Sequence, residues 1–555
     1  MMSSYPWFRR HLFCLGLLTA LCIATATAAD MPKAAPEMWH YSIKPGDTLI
    51  GVANAFLKNP NDWPKLQTIN LIPDPKRLVP GSTLRLPVAL LRREAAVAEV
   101  VFVQGQATRM AQDGSKQPLA EGAKLQIGDI IETPADASVS LRFVDGSRLL
   151  LTPNSKLVLN DMQLLGKAGI AQTILELQRG SLDTGVAKQD KPGARYEIKS
   201  RSLNLAVRGT EFRVAVDEAN QATRSEVIEG VVQASGEQGK AVAVQAGFGT
   251  QATAGQAAAA PRALLPAPVL SQLPARFERI PLRIGLPPTA GATRYRAQVF
   301  ADNTFRQLLL DGTFTDGSAK WADLPDGRYM LRVRAIDSAG LEGLNADREF
   351  VLKARPEPPF LNAPLDGTKS YGTETTLRWS ASTKAQRYHV QVSAQADFNT
   401  LLSEAGDLTK TEHVVALAPG QYYWRVASIA PGADHGPFSD VQAFTQRPIP
   451  ESPQMGAPEI SEQGMLFRWS AGASGSQYQV QLARDADFND LVLDKQLTSN
   501  EVRIEPLPAG TYYLRSKTID ADGFAGPFGT AQKLEVPGTQ WKWLLFLIPL
   551  IPLAL

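Results

Sequence analysis

The pattern of hydrophobic and polar positions near the N-terminus predicts a small strand–helix–helix–strand module. Residues 41–44 alternate as a short strand does. Asp47 or Thr48 can cap the helix that follows, because a short side-chain oxygen accepts from the free N–H groups of a first turn. A second helix is predicted at 63–69 and a closing strand at 83–87. The first helix places four apolar residues on one face: Leu49, Val52, Ala53 and Phe56.

The segment 99–250 changes to the two-residue period of β-strands. Short alternating runs such as 139–144 are separated by turn residues, so the segment is predicted to be all-β. Asp145 and Gly146 predict a type I′ hairpin, a turn with positive φ at both central residues. Residues 251–268 are rich in alanine and proline and are predicted to form a semi-rigid linker.

Residues 269–354, 355–448 and 449–537 form a threefold internal repeat. Alternating strands with a tyrosine-rich strand late in each unit predict a β-sandwich. The aligned residues are Tyr295, Tyr388 and Tyr478, then Phe305, Phe398 and Phe488, then Arg332, Arg425 and Arg515. Trp379 and Trp469 recur in the second and third units, and we expect them to lie inside independent cores. The alternative is an aromatic platform for sugars.

Composition supports a mainly β, multidomain protein. The 555 residues are several times the usual size of one domain. The 43 glycines and 39 prolines favour short strands and turns over long helices. The 57 Lys and Arg residues nearly balance 55 Asp and Glu residues, so no basic surface suggests nucleic acid as a partner.

Both ends of the chain are hydrophobic. Residues 1–29 combine basic residues, an apolar stretch and an alanine-rich end, which predicts a cleaved signal peptide and export to the periplasm or cell envelope. An uncleaved membrane anchor is the alternative. Cys14 and Cys22 both lie in this segment, so the mature chain is predicted to have no thiol. Residues 541–555 are predicted to attach to a membrane without a full span, or alternatively to dock on the last repeat.

The motif at 41–49, with Asn70 and the stretch 80–87, resembles the LysM module and places it at 39–88. The resemblance implies binding of N-acetylglucosamine-containing glycans, chiefly peptidoglycan, in a shallow groove. It implies two groups of binding residues: Gly46, Asp47, Thr48 and Leu49 on one side, and Asn70, Leu71, Ile72 and Pro73 on the other. Backbone groups at a helix start pair with N-acetyl amides, while apolar side chains cover sugar faces. The same Gly-Asp-Thr sequence also suits an ordinary capped turn.

The landmarks of the all-β segment resemble those of the FecR domain. They lie at 122–133, 145–147, 205–212 and 229–232. The resemblance implies an extracytoplasmic module of regulators that report on outer-membrane transporters. Such regulators carry a cytoplasmic part and a membrane helix before this domain, where this chain has the predicted signal peptide and the LysM-like module. Sigma-factor signalling is therefore not the leading expectation.

Three charged residues of this segment have a functional and a structural interpretation. Arg208 could contact an anion or a partner, and Asp129 and Asp145 could act as paired carboxylates. We favour the structural interpretation. Aspartate beside glycine is typical of turns, and an arginine in a strand more often satisfies carbonyl groups.

The three repeats resemble fibronectin type III modules. The resemblance implies β-sandwich folds that act as spacers or as protein-binding modules. Fold alone assigns no ligand to them.

No catalytic or metal-binding motif is apparent in the sequence. The five histidines lack metal-ligand spacing, and neither a Gly-x-Ser-x-Gly elbow nor a phosphate-binding loop occurs. We therefore predict no catalytic residue, no metal and no cofactor. The leading prediction is a non-enzymatic envelope protein that binds peptidoglycan and presents its other modules to unidentified envelope proteins, for interaction or signalling. The alternative is a peptidoglycan hydrolase or its targeting or regulatory subunit, because paired carboxylates can be distant in sequence.

Overall fold

The computed structural model describes residues 36–219 and 221–538. The predicted signal peptide and the hydrophobic C-terminal segment lie outside these residues. Strands dominate the described chain, so the prediction of a mainly β, multidomain fold is confirmed. The chain divides into two compact units. Among the described residues, the first comprises 36–219, 221–273, 284–319 and 329–349, and the second comprises 274–283, 320–328 and 350–538.

The first unit begins with the predicted βααβ module. Its elements are strand Met38–Ser42, helix Leu49–Phe56, 3-10 turn Pro60–Asp62, helix Trp63–Asn70, strand Thr83–Pro87 and 3-10 turn Val88–Leu90. The two strands pair antiparallel, with Tyr41 opposite Leu84. The first strand ends at Ser42, earlier than predicted, because Lys44 enters a turn in which its carbonyl accepts from the Asp47 N–H at 3.1 Å.

The module shares its core with the all-β domain that follows. The predicted apolar face of the first helix is buried: Leu49, Val52, Ala53 and Phe56. Leu165, Ala168 and Ile170 of the all-β domain belong to the same buried cluster. Gly193 approaches Val88 so closely that a Cβ atom at Gly193 would lie 2.6 Å from the valine Cγ1. The module therefore packs directly on the all-β domain.

The all-β domain spans residues 93–263, and its strands form one closed, connected system. Its strands are Arg93–Ala95, Ala98–Gln104, Thr108–Met110, Lys116–Pro118, Lys124–Leu125, Ile130–Thr133, Ser138–Arg142, Arg148–Leu151, Ser155–Leu165, Ile170–Gly185, Arg195–Lys199, Asn204–Val207, Glu211–Val216, Thr223–Glu229, Val231–Ser235, Val242–Gln245, Phe248–Ala252 and Arg262–Ala263. A 3-10 turn covers Gly166–Ala168.

One long strand, Ile170–Gly185, connects the two faces of this domain. Its first half pairs with Ser155–Leu165 and its second half with Arg148–Leu151. Gly180 lies where the pairing changes and has a φ of +79°. A Cβ atom at Gly180 would lie 2.2 Å from the Ser155 Oγ, so only glycine fits this crossing.

The predicted type I′ turn at Asp145 and Gly146 is wrong. Only Gly146 has a positive φ, +87°, and its N–H donates to the Phe143 carbonyl at 3.0 Å. The Phe143 N–H in turn donates to the Ser147 carbonyl at 2.9 Å. The loop is therefore a type I turn followed by a left-handed glycine, which spares the aspartate from positive φ.

Residues 251–268, predicted to be a semi-rigid linker, are held against the all-β domain. The Ala259 N–H donates to the Gln251 carbonyl at 2.9 Å, and the Leu264 N–H donates to the Gly247 carbonyl at 2.9 Å. The short strand Arg262–Ala263 also pairs with the strand Phe248–Ala252. The segment is not a free spacer, because the sheet edge satisfies its backbone groups.

The division between the two units passes through the first repeat. The strands of this repeat are Arg276–Phe277, Leu282–Gly285, Arg294–Phe300, Leu308–Phe314, Ser318–Trp321, Gly327–Ile336 and Ala346–Leu352.

The portion of the first repeat that belongs to the first unit packs against the all-β domain. Leu150 of that domain is buried together with Phe300 and Leu308 of the repeat. The Ser138 hydroxyl donates to the Leu308 carbonyl at 2.9 Å. The first repeat therefore does not have an independent core, because part of its apolar surface is covered by the all-β domain.

The second unit contains the second and third repeats, each built from a three-stranded sheet and a larger sheet. The strands of the second repeat are Leu361–Ala363, Thr368–Tyr371, Glu374–Trp379, Arg387–Ser393, Leu401–Leu408, Glu412–Ala416, Gly420–Ala430, Asp434–Phe438 and Gln442–Arg447, with a 3-10 turn at Pro431–Ala433. Those of the third repeat are Glu459–Ser461, Gly464–Arg468, Gln477–Ala483, Leu491–Leu497, Glu501–Ile504, Gly510–Ile519 and Gln532–Val536.

The tryptophans of these two repeats lie in separate cores. Trp379 is buried with Tyr388 in the core of the second repeat. Trp469 is buried with Tyr478 in the core of the third. The interpretation of these residues as core residues is confirmed, and they do not form a platform for sugars.

Candidate glycan-binding site

The predicted groove lies between the start of the first helix and the loop after the second helix. Gly46, with a φ of +87°, turns the chain towards the first helix. Leu71 ends the second helix in the left-handed conformation, at φ 54°. The Leu49 N–H donates to the Pro75 carbonyl at 2.9 Å and so joins the two sides. The two predicted groups of residues thus lie on neighbouring loops.

The side chains of Asp47 and Thr48 make hydrogen bonds inside their own loop. The Asp47 carboxylate accepts from the Tyr41 hydroxyl at 2.7 Å and from the Lys44 N–H at 2.8 Å. Burial, this hydrogen bond and the negative charge of Asp47 raise the pKa of Tyr41 to about 12. Thr48 is the N-cap, since its Oγ accepts from the Gly51 N–H at 3.0 Å. The capped-turn interpretation therefore applies to both side chains.

The Asn70 side chain joins the second helix to the closing strand. Its Oδ1 accepts from the Arg85 N–H at 2.7 Å, and its Nδ2 donates to the Arg85 carbonyl at 2.8 Å. Nδ2 also donates to the Leu66 carbonyl at 2.9 Å. The amide thereby holds the module together, a role that the sequence motif does not distinguish from sugar binding.

The apolar side chains at the groove differ sharply in exposure. Leu49 is fully buried, whereas its neighbour Ile50 is 41% exposed and Leu71 is 84% exposed. Pro73 is also exposed, and Ile72 is half-buried. The sequence reasoning named Leu49 and missed Ile50. The helical period of the sequence predicts that Ile50 is exposed, because it falls outside the buried face that includes Leu49.

This arrangement suits a neutral polar ligand with apolar faces. The exposed leucine and isoleucine can cover a sugar ring, and the Ile50 N–H makes no hydrogen bond within the described residues. A free N–H in the first turn of a helix is a donor for a carbonyl such as that of an N-acetyl group. The carboxylate of Asp47 is already satisfied and does not dominate the groove.

The charged residues singled out in the all-β segment do not form a carboxylate pair. Asp129 is buried, accepts from the Gln126 N–H at 2.7 Å and lies 2.9 Å from the Arg109 Nε. Asp145 accepts from the N–H of Ser147 at 2.9 Å, as turn chemistry predicts. Arg208 differs from expectation, because its side chain is 68% exposed and lies 3.7 Å from Glu37.

The described chain has neither a candidate metal site nor a helix that could span a membrane. Across residues 36–219 and 221–538, no group of three or more His, Cys, Asp or Glu side chains is arranged to hold a metal ion. His389 Nε2 lies 2.8 Å from a carboxylate oxygen of Glu404. No helix in the part of the chain that the structure describes is long and apolar enough to cross a bilayer.

Comparison with family models assigns two regions of the chain. Residues 41–87 match the LysM domain model, and residues 129–233 match the FecR protein model. The LysM and FecR resemblances are confirmed. These segments are called the LysM region and the FecR region below. A comparison with curated proteins finds no match.

Solved structures give distant similarities. A provisionally assigned anti-sigma factor from Parabacteroides distasonis is 12% identical over 24% of this chain, and the match spans 59% of that protein, with a TM-score of 0.21. The FN1–FN3 domains of chicken CNTN1 are 16% identical over 46% of this chain and 93% of theirs, with a TM-score of 0.23. The fibronectin(III)-like modules of Clostridium thermocellum CbhA are 12% identical over 33% of this chain and 96% of theirs, also with a TM-score of 0.23. TM-scores this low do not establish a shared fold.

Proposed function

We propose that the protein is a non-enzymatic component of the cell envelope that binds peptidoglycan through its LysM region. The FecR region and the three repeats present surfaces to other envelope proteins, for interaction or signalling. The chain is exported, and its hydrophobic C-terminal segment attaches it to a membrane.

The exposed apolar rim of the LysM region carries this proposal. Ile50, in the first turn of the first helix, and Leu71, at the end of the second helix, are exposed, while the polar side chains around them serve the fold. A rim with apolar side chains and a free helix N–H matches the apolar faces and amide groups of N-acetylated sugars. One shallow site of this kind is expected to bind weakly.

Sedimentation of the full chain with purified, protein-free sacculi tests the proposal. Leu71→Asn removes the exposed apolar side chain at a left-handed position that asparagine tolerates. We expect this variant to bind about fivefold more weakly, which corresponds to roughly 1 kcal/mol of lost apolar burial. Val144→Asn, at an exposed hairpin tip of the FecR region, is the matched control. Equal binding of wild type and Leu71→Asn would contradict the assigned rim.

Zymography on sacculi tests the non-enzymatic part of the proposal. The LysM and FecR models belong to binding and regulatory families. We expect the full chain to produce no clearing band. A clearing band that depends on this chain would show that it hydrolyses peptidoglycan.

A further inference from the structure

We propose that a groove beside Glu197, on the outer surface of the FecR region, binds a peptide that presents a free carboxylate next to an ammonium group. The peptide stems of peptidoglycan have this chemistry, and the choice of that polymer rests on the proposed function. The groove has a volume of about 500 Å³. Its walls include Arg195, Glu197 and Arg208 of the FecR region, and Glu37 just before the LysM region.

The buried carboxylate of Glu197 supplies the acceptor. Glu197 is only 5% exposed, and its Oε1 accepts from the Arg195 Nε at 2.5 Å. The other oxygen, Oε2, is buried without a hydrogen-bond partner among the described residues. Leaving a buried carboxylate oxygen without a donor is unfavourable. Glu197 lines the groove, so its negative charge attracts a ligand ammonium group placed there.

Two arginines supply the donors for a carboxylate. Strands Arg195–Lys199 and Asn204–Val207 pair antiparallel, and Tyr196 opposite Val207 is the last pair. Arg195 and Arg208 are the next residues beyond this pair, and both line the groove. Each arginine lies beside one glutamate, Arg195 at 2.5 Å from Glu197 and Arg208 at 3.7 Å from Glu37, and its other guanidinium N–H groups are available to a ligand. Both side chains are largely exposed, at 52% and 68%. A ligand carboxylate between them accepts paired guanidinium hydrogen bonds.

The combination of charges selects the class of ligand. A polyanion such as nucleic acid or a phosphate-rich lipid is disfavoured, because the buried Glu197 and the nearby Glu37 both repel it. A simple cation is disfavoured by the two arginines. A group with an ammonium and a carboxylate side by side satisfies both ends of the groove, and its volume accommodates a short peptide.

The groove is built where the LysM region docks on the FecR region. The Gln172 Nε2 donates to the Gly193 carbonyl at 2.9 Å, which fixes the loop that forms one wall. The same Gly193 packs against Val88 beside the LysM region. A polymer held by its glycan at the LysM region therefore raises the local concentration of its peptide stems at the groove.

Isothermal titration of the full chain with the tripeptide L-Ala-γ-D-Glu-meso-diaminopimelate tests the inference. We expect the wild type to bind the tripeptide and to bind its fully amidated form at least about tenfold more weakly, since the amidated form loses charge-assisted hydrogen bonds. Arg208→Gln should reduce affinity for the free tripeptide by about tenfold as well. Arg201→Gln is the matched control, because Arg201 is exposed at the turn end of the same hairpin. It should bind like wild type.

Absence of tripeptide binding by the wild type, or equal affinity of Arg208→Gln, would overturn the inference. Glu197→Gln should also bind the tripeptide weakly. If this variant is destabilised, the affinity of Arg208→Gln for the tripeptide still tests the inference, because Arg208 is exposed. A peptide-free chito-oligosaccharide, titrated in parallel, reports on the LysM region alone. If the protein binds the oligosaccharide but not the tripeptide, only the groove is contradicted. If it binds the tripeptide but not the oligosaccharide, only the proposed function is contradicted.

Discussion

The guanidinium of Arg425 lies 4.0 Å from the centre of the Phe398 ring and 4.3 Å from the centre of the Phe438 ring. The same relationship recurs in the other repeats as Arg332 with Phe305, at 3.6 Å, and Arg515 with Phe488, at 3.9 Å. All three phenylalanines of these pairs have a positive φ, of 55°, 57° and 60°. That conformation is unfavourable for a bulky residue. A stacked arginine accompanies this conformation in every repeat.

Removal of this stacked arginine should destabilise the second repeat. Arg425 also donates to the Gln391 Oε1, at 2.7 Å through its Nη2. We expect Arg425→Ala to lower the free energy of unfolding of this repeat by about 1–3 kcal/mol, through the lost cation–π contact and hydrogen bonds. Arg378→Ala is the control, because its pair with Glu412 is exposed and worth less than about 1 kcal/mol. Urea unfolding followed by limited proteolysis measures both, and equal effects would contradict the role of the stack.

The hydrogen bonds of Asn70 predict a separation between stability and binding in the LysM region. Asn70→Ala leaves the Arg85 N–H without its side-chain acceptor and should destabilise the region by about 1–3 kcal/mol. Leu71→Asn should leave stability nearly unchanged while reducing binding to sacculi. Hydrogen exchange of the strand Thr83–Pro87 measures the stability of this region. Full stability of Asn70→Ala would show that the amide is free for a ligand.

The stability of the FecR region should fall as pH rises through the range set by Glu226. Burial raises the pKa of Glu226 from 4.5 to about 7, although Arg213 lies 3.6 Å away. Between pH 4.5 and 7 the folded state retains a proton that the unfolded state has released. The free energy of unfolding should therefore fall by up to about 1.4 kcal/mol per pH unit in this window.

Hydrogen exchange of the full chain at pH 5, 6 and 7.5 checks this dependence. After correction for intrinsic exchange rates, the strand Thr223–Glu229 should lose protection with rising pH in the wild type and less so in Glu226→Gln. Glu229→Gln, an exposed change in the same strand, should behave like wild type. At lower pH, stability should instead fall as the pH falls. Nearby arginines lower the pKa of Glu342 in the folded state, so below the unfolded-state pKa the unfolded chain binds a proton that the folded chain does not. A flat profile above pH 5 would contradict the raised pKa of Glu226.

The separate cores of the second and third repeats predict local effects of tryptophan removal. Trp379→Ala and Trp469→Ala should each destabilise their own repeat by about 3–5 kcal/mol, the range for deleting a large buried aromatic side chain. Proteolysis should then cut within the altered repeat and spare the other. Simultaneous loss of both repeats from one substitution would show that their cores are coupled.

Local spacing along the chain was enough to predict much of the fold. The helix from Leu49 to Phe56 and its cap at Thr48 follow from interactions between residues a few positions apart. The strand at Thr83–Pro87 is recognisable from the alternation of its side chains. The threefold repeat also follows from the sequence, because the aligned tyrosine, phenylalanine and arginine residues recur at nearly constant spacing. These predictions succeeded where the deciding contacts are local and periodic.

Contacts between distant residues decided the rest. The sequence placed Arg425 and Phe398 in the repeat pattern, but only the folded sheet brings the guanidinium over the ring. Likewise, the hydrogen bonds of Asn70 to Arg85 and the burial of Leu150 against Phe300 depend on how separate elements pack. The alternation of hydrophobic and polar residues shows whether a side chain lies on the buried or the exposed face of its strand or helix. It does not show which distant partner covers that side chain, because the partner is set by the geometry of the whole domain.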